Sequence, residues 1–114
     1  MLDDLFAAID AMDADRFAGF LAPDCRFRFG NLPAVEGRDA VRDFVAGFFG
    51  ALGGIRHDLV ERIEAPGRIA MHGFVTYTRK DGSILRVPFA NVFRLEDGRV
   101  REYLIFVDNA ALFA

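Results

Sequence analysis

From residue 55 onward the apolar residues stop recurring at helical spacing, and three short connections divide the second half of the chain into four segments. Residues 55–65, 68–79, 84–95 and 99–107 are rich in β-branched and aromatic side chains, and between them stand Pro66-Gly67, Lys80-Asp81-Gly82 and Glu96-Asp97-Gly98. Each connection puts glycine where a tight turn asks for positive φ, so the pattern predicts four strands in an antiparallel meander. Before residue 55 the period is different. Leu2, Leu5, Phe6, Ile9 and Met12 recur at three and four, with Asp3 and Asp4 suited to a first helical turn. A second short helical turn comes next, with Asp15 as its expected cap and Phe17, Phe20 and Leu21 facing inward until Pro23 stops it. Cys25-Arg26-Phe27-Arg28-Phe29 alternates like a half-buried strand and ends at Gly30-Asn31-Leu32-Pro33. Gly37-Arg38-Asp39 opens another helix whose apolar face is Val41, Phe44, Val45, Phe48, Phe49 and Leu52, with Gly53-Gly54 expected to close it. Helices followed by a curved sheet make an α+β fold, the N-terminal helices packed on the concave face of the antiparallel sheet. At 114 residues the chain has room for a single domain, residues 1–114.

Composition narrows the function. Hydrophobic residues make up 53%, with 13 Phe, 2 Tyr and no Trp, which is more phenylalanine than a minimal core requires. The surplus predicts a large internal apolar surface, such as a cavity, or a buried subunit interface. A net charge of −3, with 14 basic residues interspersed among 17 acidic ones, argues against nucleic-acid binding. The lone Cys25 can form no internal disulfide and has no metal-site spacing or identifiable activating base around it. The N-terminus lacks a positively charged region and no apolar run approaches a membrane span, so a soluble, cytoplasmic protein is expected, without membrane association. No His pair, phosphate-cradling glycine loop or serine nucleophile elbow is present. Cofactor-free and metal-free chemistry, or none, is the expectation.

Within the meander, one residue stands out. Asn91 sits in Val87-Pro88-Phe89-Ala90-Asn91-Val92-Phe93, and the residues sharing its face are Phe89 and Phe93. A carboxamide there costs about 1 to 3 kcal/mol if left unpaired. It either lines an apolar pocket or bonds within the core. His72 shares a face with Phe74 and so could reach a cavity, or be a buried neutral histidine. His57 follows Gly53-Gly54 and could instead cap a helix or face solvent. Tyr103, Ile105 and Val107 share a face of the last strand, and Asp108, directly after them, either lines the pocket as a ligand-binding residue or caps the turn Asn109–Phe113.

The segments AIDAMDADRFAGFLAPDCRFRFG, EGRDAVRDFVAGFF, RHDLVERIEAPGRIAMHGFVTYTRKDG and LEDGRVREYLIFVDNAALF span nearly the whole chain. In their order they resemble the SnoaL-like branch of the nuclear transport factor 2-like superfamily, which also contains ketosteroid isomerase and scytalone dehydratase. The resemblance implies a cone-shaped apolar cavity between helices and a strongly bent sheet, and commonly a homodimer packed through the outer sheet face. It puts the Tyr103 and Ile105 face on the cavity, whose wall is then expected at Phe89, Phe93, Tyr103, Ile105 and first-helix residues. Ketosteroid isomerase's tyrosine, base aspartate and protonated aspartate fall on Ala7, Phe29 and Asn91. SnoaL cyclase's histidine and aspartate fall on Asn91 and Ile105. Neither acid/base set is present. The Arg-x-Asp pair of the epoxide hydrolases is absent from AMHGFVTYT. Scytalone dehydratase matches in part: its first-helix aspartate resembles Asp10, its histidine resembles His57 and its pocket asparagine resembles Asn91. Thr78 and Ile9 stand where it has a second histidine and a tyrosine.

The expectation is a dimer whose cavity takes a small apolar molecule bearing a carbonyl or hydroxyl bonded by Asn91. As an enzyme it would be a cofactor-free isomerase, dehydratase or cyclase, with His57 or His72 as acid/base and Asp10 orienting it. The alternative is a non-catalytic binding or assembly module whose phenylalanines serve the dimer interface.

Overall fold

The computed structural model describes residues 1–114. Its elements are α1 (Leu2–Asp10), α2 (Ala14–Ala18), β1 (Leu21–Phe29), β2 (Val35–Glu36), α3 (Arg38–Gly50), β3 (Leu52–Ala65), β4 (Arg68–Arg79), β5 (Ile84–Glu96) and β6 (Arg99–Val107). All six strands form one sheet in the order β2-β1-β6-β5-β4-β3. The meander β3 to β6 is antiparallel throughout, and β1 joins it alongside β6 in parallel. At the last hairpin Asp97 and Gly98 both adopt positive φ, 52° and 74°, the paired left-handed geometry that matches the twist of the flanking strands.

Three local expectations are corrected. The cap of α2 is Asp13, whose carboxylate accepts from the Arg16 N–H, while Asp15 lies in the first turn. Helix α3 ends at Gly50, and Gly53-Gly54 lie inside β3 rather than closing the helix. Gly53 is needed there because a Cβ would stand 2.8 Å from the Arg79 carbonyl oxygen across the strand pair. Strand β1 begins at Leu21, four residues before the alternating run, and Pro23 falls within it.

The helices close over the concave face. Leu2, Leu5, Phe6, Ala8 and Ile9 of α1 and Val41, Val45 and Phe49 of α3 are buried against Phe27, Ile69, Met71, Phe93, Val100 and Tyr103 of the sheet. Strand β3 carries an extra residue, Val60, between the Leu59/Gly73 and Glu61/His72 pairs, a bulge of the kind that bends a strand. Gly73 permits that close approach, since a Cβ on it would lie 2.0 Å from the Asp58 carbonyl oxygen. No helix is long and apolar enough to cross a membrane.

Candidate active site

Asp10 is the last residue of α1, and its carboxylate faces β3. There it accepts two hydrogen bonds from one residue: Asp10 Oδ1 lies 2.7 Å from His57 Nδ1, and Asp10 Oδ2 accepts from the His57 backbone N–H at 3.2 Å. A carboxylate can only accept, so the hydrogen of the neutral imidazole sits on Nδ1. Nε2 is left with its lone pair. The ring is held between Phe6, at 5.0 Å between centroids, and Phe89, perpendicular at 5.2 Å. An imidazole whose tautomer is set by an adjacent carboxylate and whose ring packs against two aromatic rings can accept a proton at Nε2.

Asn91 is 1% exposed, at the centre of β5, opposite Ile105 of β6 and Met71 of β4. Its amide reaches diagonally to Tyr103, with Nδ2 at 3.4 Å from the phenolic oxygen, and within the chain its Oδ1 has no hydrogen-bond partner. Burial pushes the Tyr103 hydroxyl far above the ordinary tyrosine range, with Tyr77 and Asp10 opposing its ionisation further. It stays a neutral hydroxyl.

His57, Asn91, Tyr103 and Tyr77 are the polar side chains lining a cavity of about 40 Å³. Seven of the 13 phenylalanines line it as well, including Phe27, Phe29, Phe44 and Phe48. That is where much of the phenylalanine surplus goes. A recess of about 400 Å³ adjoins the cavity, shares Phe29, Phe44 and Phe48 with it, and is bounded by the C-terminal turn at Asn109, Leu112 and Phe113. The turn is fastened by Arg79, whose Nε and Nη2 donate to the Leu112 and Ala111 carbonyls at 2.8 and 3.0 Å. Asn109 Nδ2 also donates to the Tyr77 hydroxyl at 3.0 Å, and burial pushes that hydroxyl up to about 12.

Of the residues singled out from the sequence, Asp10, His57, Asn91 and Tyr103 come together, and Phe89 and Ile105 line the same space. Phe93 does not line it. It is fully buried behind Tyr103, with ring centroids 4.3 Å apart, and meets Phe6 edge-on at 6.2 Å. His72 is turned away altogether: it is exposed on the outer sheet face beside Glu61 Oε1 at 3.2 Å. Phe74, which shares its face, is outside too, under the Arg86 guanidinium. The interior face of β4 is the odd phase, Ile69, Met71, Val75 and Tyr77. An unbroken apolar series at those positions is visible in the sequence and would have marked Tyr77. Asp108 caps the C-terminal turn by accepting from the Ala110 N–H, and it borders the outer recess rather than the cavity. Cys25 is buried, and burial raises its thiol pKa, which leaves it inert. No group of three His, Cys, Asp or Glu side chains is placed to share a metal ion.

The family model of the SnoaL-like domain matches residues 2–103. The chain belongs to this family. Its fold is that of the NTF2-like proteins. An NTF2-like protein of unknown function from Burkholderia pseudomallei superposes with a TM-score of 0.86 at 24% identity, over 97% of this chain and 90% of that one. A candidate SnoaL-like polyketide cyclase from Jannaschia superposes with a TM-score of 0.83 at 22% identity, over 97% and 85%. A protein with a ketosteroid isomerase-like fold from Catenulispora acidiphila, solved in complex with trimethylamine, gives 0.84 at 12% identity, over 92% and 82%. No curated protein matches the sequence. At these identities the SnoaL-like neighbours share the fold, and the chemistry has to be read from the residues.

Proposed function

We propose that this SnoaL-like protein binds a small, largely apolar, oxygen-bearing molecule in its phenylalanine-lined cavity and moves a proton on it without a cofactor. The observation that carries this is the Asp10/His57 pair: a histidine clasped through Nδ1 and its own backbone N–H, with Nε2 free, on the wall of the cavity that Asn91 and Tyr103 also line. His57 Nε2 would take a proton from a carbon next to a carbonyl, Asp10 would stabilise the resulting imidazolium, and Asn91 with Tyr103 would hold the substrate oxygen. Returning the proton to another carbon makes an isomerase, and giving it to a departing hydroxyl makes a dehydratase. Hydrogen–deuterium exchange at the α-carbons of a ketone panel in D2O, followed by proton NMR, tests this. Wild type should accelerate exchange for at least one member, and His57→Gln should lose about a hundredfold or more of that rate. Equal rates for the two proteins across the panel would remove the catalytic reading.

A second reading, a non-catalytic binding or assembly module, has its own support. The cavity of about 40 Å³ is well below the ~150 Å³ that holds a benzene ring. The outer sheet face carries exposed Val60, Ile63, Phe74, Ile84 and Phe106, which suits a homodimer packed through that face. Sedimentation velocity of wild type against Phe106→Lys tests the dimer: the wild type should run as a dimer and the variant as a monomer.

A further inference from the structure

The hydrogen-bonding inventory of the Asn91/Tyr103 pair restricts what can complete it. An Asn carboxamide offers two donors and an acceptor oxygen, and a tyrosine hydroxyl offers one donor and accepts. As oriented, the Asn91 Nδ2 donates to the Tyr103 oxygen, leaving Asn91 Oδ1 as an unpartnered acceptor and the Tyr103 O–H as a free donor. Rotating the amide by half a turn only exchanges the roles. Tyr103 then donates to Oδ1, and the pair is left with the amide N–H groups as donors and the tyrosine oxygen as acceptor. In both arrangements the buried pair presents a donor and an acceptor. Because Tyr103 is held neutral by burial, ionisation does not turn it into a second acceptor.

We infer that the ligand group seated on Asn91 and Tyr103 is a hydroxyl, as in an alcohol, a phenol or an enol, rather than a bare carbonyl or ether oxygen. This rests on the proposed cavity reading and deepens it. A hydroxyl donates and accepts through one atom and so satisfies both halves of the pair, whereas a ketone or ether engages the donor alone and strands a buried acceptor. Asn91 is 1% exposed and Tyr103 2%, so bulk water does not reach the stranded group. Proton removal by His57 beside a carbonyl leaves an enolate oxygen that only accepts, so the hydroxyl seated on this pair is a second oxygen of the substrate, as the departing hydroxyl of a dehydration is.

The test is a matched-pair titration of the full chain, read by NMR on the Asn91 side-chain amide and the Ile105 methyl groups. The pairs are 2-propanol against acetone, cyclohexanol against cyclohexanone, and phenol against anisole, a range of sizes for the cavity joined with its recess. The expected result is saturable shifts with the hydroxylated member binding about tenfold or more tightly. In Tyr103→Phe and Asn91→Leu that preference should collapse to near unity while apolar binding persists; two variants are used in case one fails to fold. Equal or tighter binding of the ketone and ether members would overturn the hydroxyl assignment and leave the cavity reading standing. Shifts from no member of any pair would overturn the cavity reading itself, and the assignment with it.

Discussion

Removing the Asp10 carboxylate is the most informative single perturbation, because it acts on the histidine from 47 residues away in sequence. Asp10→Ala deletes two hydrogen bonds to one carboxylate, one at 2.7 Å from the ring and one at 3.2 Å from the backbone. A bond to a charged acceptor contributes about 1.5 to 3 kcal/mol when buried. The Asp10 side chain is 30% exposed, so water replaces part of what is lost, and about 2 kcal/mol in all is a reasonable expectation. With an unfolding entropy of about 2.1 cal/mol/K per residue over 114 residues, roughly 240 cal/mol/K, that loss lowers Tm by about 8 °C. Thermal denaturation followed by circular dichroism measures it. Asp10→Asn sharpens the test, since an amide can present N–H to Nδ1 and so drive the imidazole hydrogen to Nε2. Ring ¹⁵N shifts should therefore show an Nδ1–H tautomer in wild type and an Nε2–H tautomer in Asp10→Asn, with a smaller loss of stability. A Tm within about 1 °C of wild type for Asp10→Ala, or an Nε2–H tautomer in wild type, would refute the argument.

Gly73→Ala should destabilise by about 3 kcal/mol or more, because its Cβ would collide with the Asp58 backbone oxygen at 2.0 Å and the bend cannot yield without moving β3; a lowered urea midpoint reports it. Leu112, 1% exposed, anchors the C-terminal turn against Leu52, Val75, Tyr77 and Phe89. Leu112→Ala should cost about 2 to 5 kcal/mol and speed amide exchange in residues 109–114 more than elsewhere. Tyr77, raised from an ordinary 10 to about 12, stabilises the fold fully below pH 10. That contribution is lost as pH rises from 10 through 12, about 2 to 3 kcal/mol across the window, since the unfolded chain ionises first. Tyr77→Phe should flatten that part of the stability–pH curve, and an unchanged alkaline slope would count against the buried hydroxyl.

Local chemistry decided a good deal of this protein before any tertiary contact. Turns such as Asp97-Gly98 are specified by backbone sterics, and the apolar stripe of α1 by helical period, so the helices, the meander and the α+β class could be read directly from the sequence. Asn91 could be read in the same way, because alternation along a strand puts it on the Phe89 face whatever lies opposite. Its partner depended on register. Tyr103 meets it diagonally only because β5 and β6 pair as Asn91 with Ile105, past an irregularity at Arg94 and Leu95. The phase of β4 is legible in its apolar series Ile69, Met71, Val75 and Tyr77, and the structure keeps it past the Val60 bulge opposite Gly73, with His72 outward. Asp10 and His57 were each visible as candidates through family resemblance, but no spacing joins them. Only the packing of the end of α1 onto β3 brings that carboxylate to that imidazole, since a hydrogen bond of 2.7 Å is a property of position in space and sequence separation carries no information about it.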